Sequence, residues 1–526
     1  MSSHLRASAT LRQKLALTGT VAAGVLLLLQ GAATAAPTPL TPPAQLGAPA
    51  LPGPVVDPGK PSTQMKTMKS TPDVAAPGTA FTVTGAGLPA DKDIAIVWMT
   101  ATVTYILDPR ADSVDYIGEK ADKIAVQIGT GRTDGSGKFS VMLKVPQDFG
   151  GLHDMYAVAD GVQIAKGGYL LTKTVKISPT KGPVGTSITI TVSGLGSPTY
   201  ERSGAVLYDN HFAGTFAGNW TRGVSKFVVR AAGPVGKHTV SVMPSSHTVS
   251  YLNIEQSPVP WQVYSNNTFT VTKDNGRPPV RVDWPKNVAA TLDAKTTFAT
   301  IGVTEGTAAT ATLEKTSGTV LSKVGVTASG LTPNAPVDIV WSTVVGNRVN
   351  CTGTCWGFAS IPLSRGTAAA DGTLKSSITI PDNLGGWHEV QFMQGGKVTT
   401  QVPFYVKRSF VSIAPLRVKA GQQFSVHFKG VGWTQLDNTL AVTYDNSYIG
   451  YGCGFNSNGD VVMNLVATGA PGTHLIDVYP LLYTQSPTYP YMPLAMVPLL
   501  SYATDAPGLA LGYQLPAFRL AITVVA

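Results

Sequence analysis

Charge is scarce in this chain. Asp, Glu, Lys and Arg make up 13% of its 526 residues, about half the ~25% usual for soluble proteins. Dense Lys/Arg runs are missing, and with them the electrostatic footprint of a nucleic-acid binder. Cysteine is scarcer still. Cys351, Cys355 and Cys453 are the full set, which excludes a disulfide framework. The pair in "CTGTC" could close a small local loop in an oxidising compartment; Cys453 would then be left over, or would pair with one of the other two across a domain boundary. No ligands gather near these cysteines to complete a zinc shell. No segment offers a long, capped amphipathic helix. Catalytic signatures are also missing. "WHEVQ" at Trp387–Gln391 starts like a zinc-protease motif, but it lacks the second His and lies in a strand pattern. There is no G-x-S-x-G elbow and no complete P-loop. "DGSG" at Asp134–Gly137 lacks the spaced acids of a calcium loop and reads as a turn. No cofactor is implied by any of these motifs.

What is present is a folded composition, 43% hydrophobic, with 55 Gly and 38 Pro scattered between alternating runs; such punctuation means many turns rather than disorder. Residues 1–35 read as a secretory signal peptide. Arg6, Arg12 and Lys14 precede the apolar run Leu15–Leu29, and small residues follow at Ala33–Ala35. Removing those three cations from the formal net charge of +9 leaves +6, a weak bias compatible with an anionic cell wall. No membrane span is expected after cleavage. Residues 36–67, rich in Pro, Gly and Ala without periodicity, read as an extended tether.

Beyond the tether, short alternating strands run to the end of the chain. Thr79–Leu88, Ser187–Gly196, Lys323–Leu331 and Gln423–Gly432 each alternate apolar and polar residues and then meet glycine. The fold class is all-β. The pattern also repeats. Gly87-Leu88 returns as Gly330-Leu331, and Trp98 as Trp341, both at an offset of 243. Gly185 matches Gly421, Tyr208 matches Tyr444 and His238 matches His474, each at 236. One long unit has been duplicated, and the drift in offset places a longer loop in the first copy, between Trp98 and Asp134. Each long unit divides again, because G-x-H before an apolar alternation occurs at His153, His238, His388 and His474. The expected architecture is a tandem array of four β-sandwich modules in A-B-A-B order: 68–174, 175–274, 311–408 and 409–526, with 275–310 as the linker between halves.

"ISPTKGPVGTSITITVSGLG" (Ile177–Gly196) and "GKHTVSVMP" (Gly236–Pro244) resemble the opening and the sixth strand of bacterial immunoglobulin-like modules of the IPT/TIG kind. The resemblance implies an immunoglobulin-like sandwich and an extracellular setting. It implies no enzyme, and fold alone does not settle function.

In such a sandwich the third and sixth strands are antiparallel neighbours. "AVLYDN" (Ala205–Asn210) and "AVTYDN" (Ala441–Asn446) read as third strands ending in a turn, since Asp and Asn tolerate left-handed backbone. His238 is then expected beside Asp209, and His474 beside Asp445, as structural pairs. A metal or catalytic use fits less well, because G-x-H recurs in all four modules whereas Tyr-Asp-Asn occurs in two. The candidate binding surface lies instead on the long stretches after His238 and His474, where Tyr251, Trp261, Tyr264, Tyr483, Tyr489 and Tyr491 sit among prolines. Loops of that length are often functional, and rigid rings there could meet sugars or a partner protein, or fold back between modules. The expectation is a secreted or cell-surface, non-enzymatic structural or adhesive protein whose partner is a cell-wall or extracellular polysaccharide or a surface protein. A carbohydrate-binding protein using these loops and an extracellular hydrolase with an unrecognised site are the alternatives.

Overall fold

Alternation in the sequence becomes alternation in burial. In Ser187–Ser193, Ile188, Ile190 and Val192 are fully buried while the Ser and Thr between them stay half-buried, as expected of a strand with one face on a core. A computed structural model describes residues 38–39, 50–109, 114–257, 265–285, 304, 306–346, 356–455, 457–483 and 496–526. The described part is all-β apart from two short 3-10 turns, Ile254–Gln256 and Pro507–Leu511.

Ser187–Ser193 is central in a three-stranded sheet with Thr174–Ser178 and Ser225–Arg230. A five-stranded sheet lies against it, in the order Lys181–Gly182, Ser265–Val271, Gly236–Pro244, Ser203–Tyr208, His211–Ala217, with its first pair parallel. One core, including Ile190, Val192, Val206, Phe227, Val240 and Phe269, draws on both sheets, which makes the unit a β-sandwich. The same arrangement recurs with Lys323–Ser329 central in the small sheet and Gly386–Gln394 beside Pro336–Gly346 in the large one. It recurs again with Gln423–Lys429 in the small sheet and Gly472–Pro480 beside Thr439–Tyr444 in the large one. Near the N-terminus Lys60–Thr71 serves two partners. It runs parallel to Val162–Leu171 through Lys60–Thr67, and antiparallel to Ala80–Gly85 from Met68, so the strands there form one continuous path.

Several segments differ from the sequence expectation. The tether expected to residue 67 joins the first sheet earlier: Gln127 donates to the Pro54 carbonyl at 3.0 Å, and the strand begins at Lys60. Proline forbids only its own N–H to the ladder, so a Pro-rich stretch can still lie on an edge. The linker expected over 275–310 contributes Arg281–Asp283 as an added strand beside Ala517–Arg519, and its end already belongs to the strand Thr310–Leu313. The drift between copies is an extended hairpin, Asp93–Pro109 with Val114–Arg132, against the shorter Pro336–Gly346 with Trp356–Thr367. Nor are the sandwiches beads on a string. The core containing Ile190 and Phe227 also takes in Ala441, Leu475, Tyr479 and Ala521 from the C-terminal sandwich, and residues 35–526 form one compact unit.

Candidate functional site

The four G-x-H histidines build one kind of corner. In each, Nε2 lies against the carbonyl four residues earlier: Phe149 at 2.7 Å from His153, Pro234 at 2.7 Å from His238, Leu384 at 3.0 Å from His388, Ala470 at 2.9 Å from His474. The second ring nitrogen meets the neighbouring strand or the turn that follows it. There His238 Nδ1 lies 2.6 Å from Asp209 Oδ2, and His474 Nδ1 lies 2.6 Å from Asp445 Oδ2. His153 and His388 meet backbone carbonyls instead, those of Met99 at 2.8 Å and Ser342 at 3.1 Å, and their rings stack on Trp98 and Trp341.

The chemistry of His474 and His388 is opposite. A carboxylate accepts from an imidazolium, so both N–H groups are used. Burial alone would lower the His474 pKa, but the Asp445 hydrogen bond and the Ala470 carbonyl hold it above its ordinary value. His388 has no carboxylate, and burial pushes it down to about 4. A neutral ring carries one N–H, so one of its two carbonyl contacts lacks a proton.

Tyr-Asp-Asn supplies the rest of the corner. Tyr208 Oη donates to the Ala232 carbonyl at 2.9 Å and accepts from the Ala232 N–H at 3.1 Å; Tyr444 does the same with Thr468. Asp209 and Asp445 also accept from the backbone N–H of Thr239 and Leu475. All four turn residues have positive φ, 48° and 65° in the first copy and 48° and 64° in the second, the geometry of a two-residue hairpin turn. The Tyr, His and Asp side chains of such a corner bond to its own backbone and to each other.

A second polar cluster, which the sequence did not single out, lies where the extended hairpin ends. Tyr105 and Tyr116 on the hairpin meet Trp220, Leu482, Tyr502 and Leu509 in one buried cluster. Within it Tyr105 Oη donates to the Asp505 carboxyl. Arg202 Nη2 lies 2.9 Å from Glu119 Oε2, and His247 Nε2 lies 3.1 Å from Glu119 Oε1. Two carboxyls are thereby driven apart. Burial pushes Glu119 up, but His247, Arg202 and the Tyr116 hydroxyl outweigh it and hold it at about 2. Burial lifts Asp505 to about 6, against hydrogen bonds from Tyr105 and from the Asn219 and Trp220 backbone. Divergent carboxyls are a mark of acid–base sites. Here the adjoining void, lined by Tyr105, Tyr116, His247 and Asp505, measures about 20 Å3. That is room for a single water, so the cluster works as a fastening between elements. Its only trace in the sequence is the drift in repeat offset, which marks the hairpin but not its destination.

Of the aromatic-loop residues, Tyr251 is exposed at 40%. Tyr483 is half-buried, its ring 6.4 Å from that of Tyr451. Trp261, Tyr264, Tyr489 and Tyr491 lie outside the described residues, as do Cys351 and Cys355. The second loop's later part turns inward: Leu500, Tyr502, Leu509 and Tyr513 are buried. No grouping of three or more His, Cys, Asp or Glu suited to a metal occurs among the described residues.

No known family model matches the chain, and no curated protein matches it. Among solved structures it is similar to a Salmonella alpha-2-macroglobulin at 9% identity and a TM-score of 0.17; the match covers 86% of this chain and 30% of that one. An Escherichia coli adhesin, FdeC, matches at 12% identity and a TM-score of 0.15, covering 67% of this chain and 98% of the adhesin. A putative membrane anchored protein of Corynebacterium diphtheriae matches at 11% identity and a TM-score of 0.17, covering 65% and 88%. Likeness at these scores leaves function to the chain's own residues.

Proposed function

We propose that this chain is a secreted, surface-located structural or adhesive protein, a rigid assembly of four immunoglobulin-like modules of the IPT/TIG kind in A-B-A-B order. The observation that carries the reading is a pair of polar contacts, one an ion pair and one a side-chain-to-backbone hydrogen bond, at corresponding places in the two A–B joints. Lys173 meets Glu201 at 3.6 Å across the first joint, and Arg408 donates to the Asp437 backbone across the second. Glu201 and Asp437 are 236 residues apart, the repeat offset itself. A long unit copied together with its internal joint suits a protein whose task is to hold a fixed shape. Its partner, on this reading, is a cell-wall or extracellular polysaccharide or another surface protein. The test is fractionation of expressing cells combined with a pull-down of cell-envelope material by the purified 36–526 chain. The expected result is a processed chain outside the cytoplasm that retains envelope polysaccharide or protein. A chain retained in the cytoplasm with residues 1–35 intact would overturn the reading.

A further inference from the structure

The hairpins Ser203–Ala217 and Thr439–Cys453 are copies down to their irregularities. Ala205 pairs Thr215 and Ala441 pairs Tyr451, the register shifts after Val206 and after Val442, and Gly214 and Gly450 sit at φ 152° and 147°. Their outer edges differ. Along the first runs the extended segment Pro498–Leu500, parallel to it: Thr215 N–H donates to the Pro498 carbonyl at 2.8 Å, and Leu500 N–H donates to the Thr215 carbonyl at 2.8 Å. The segment packs so closely that a Cβ on Gly214 would stand 2.8 Å from the Pro498 oxygen and 3.0 Å from Leu500 Cδ2.

At the second hairpin no described residue takes that place. Among the described residues Ser447–Cys453 ends its sheet, and none of them lies within 4 Å of a Cβ built on Gly450. Ile449 is 50% and Tyr451 44% exposed. A groove of about 860 Å3 runs between this strand and Val461–Val466. Exposed edges are normally guarded by charge or proline, because their unpaired backbone groups invite another strand; "SYIGYGC" carries neither.

We propose that the Ser447–Cys453 edge accepts an extended, proline-bounded aliphatic segment of a partner polypeptide, added as a parallel strand. The sister hairpin supplies the template: a proline carbonyl accepting from the Tyr451 N–H, a following N–H donating to the Tyr451 carbonyl, and a bulky aliphatic side chain over Gly450. A second copy of this chain is the poorer occupant. Its own Pro498–Leu500 is already engaged, with Val497 and Leu500 buried. The inference stands independently of where the protein resides.

The test uses the full chain and a fluorescein-labelled peptide with the Met496–Ser501 sequence, read by anisotropy. Saturable binding is expected, weakened at least about tenfold by Tyr451→Pro, which removes the donor. Tyr451→Lys, which guards the edge with charge while keeping its backbone, should weaken it similarly, and a peptide with both leucines changed to Asp should not bind. Melting curves establish that both variants remain folded. Absent saturation, or equal binding by wild type and both variants, would overturn the proposal. So would a concentration-dependent dimer in sedimentation that Tyr451→Lys abolishes, since the edge would then belong to a second copy.

Discussion

At the scale of single residues, His474 and His388 respond to acid in opposite directions. His474 has a folded pKa above its ordinary value. Its contribution is therefore fully present below the unfolded pKa, near 6.5, and is lost as pH rises through the folded value. Asp445→Asn removes the carboxylate. It should cost on the order of 1–3 kcal/mol at pH 6 and return the His474 titration, followed by NMR, to or below its ordinary range. His388 runs the other way. With a folded pKa of about 4, it refuses a proton that the unfolded chain accepts below about 6.5. Stability is therefore lost as pH falls from about 6.5 toward 4, by roughly 3 kcal/mol at most for a shift of that size. His388→Gln should flatten this acid limb in urea titrations at pH 4.5 and 7, whereas Asp445→Asn should leave it in place. The Asp–His adjacency was legible from "YDN", G-x-H and the neighbourhood of two strands. The protonation difference was not, because it depends on whether a carboxylate or a backbone carbonyl faces Nδ1.

At the scale of elements, the duplicated joints invite a comparison within one molecule. Asp148, fully buried, accepts from Trp98 Nε1 at 2.8 Å and from Thr100 at 2.9 Å, and pairs with Arg222 at 2.6 Å. The corresponding positions in the second copy hold Asn383 and Asn458; Asn383 Oδ1 accepts from the Leu384 N–H, and Trp341 Nε1 finds no hydrogen-bond partner among the described residues. Arg222 and Asn458 share a left-handed backbone, φ 50° and 57°. Asn383→Asp alone places an unpaired charge in a buried site and should destabilise by roughly 3 kcal/mol. Adding Asn458→Arg should recover a part of that loss, seen as a coupling of about 1–3 kcal/mol in a double-mutant cycle by urea denaturation. The extended hairpin gives a second test. Asp505 has its pKa raised to about 6 by burial, so its neutral form favours folding and that contribution is lost as pH rises from about 3.8 through 6. Asp505→Asn keeps the shape without the charge and should remove this decline between pH 5 and 7.5, measured as the difference in urea midpoint from wild type. That the first copy carries extra residues between Trp98 and Asp134 could be counted from the offset; that they form an extended hairpin could not. Nor could its target, since the groups that receive it lie from 83 to 400 residues away and carry no shared period.

At the scale of the whole molecule, the cores are not equally self-sufficient, and folding should follow that inequality. Among the described residues, the core around Trp341, Phe392 and Phe404 draws only on those between Ala309 and Val406. The core around Ile190 and Phe227 instead includes Leu475, Tyr479, Leu481 and Leu500 from the C-terminal sandwich. Across the same contact Arg230 pairs with Asp477 at 2.6 Å, and Asn446 of Tyr-Asp-Asn donates to the Arg230 carbonyl at 2.7 Å. Alternation in a strand marks which residues are buried but not against what, so a face covered by another sandwich reads in the sequence like any core face. Cutting that contact strands a buried arginine and an apolar face together, the combination that small domains tolerate least. The 311–408 fragment should therefore unfold cooperatively on its own. The 175–274 fragment should show no cooperative transition alone and gain one when mixed with 275–526, as followed by circular dichroism melting. A cooperative melt of isolated 175–274 at the midpoint of the full chain would mean that the shared core contributes little, and that the sandwiches are independent after all.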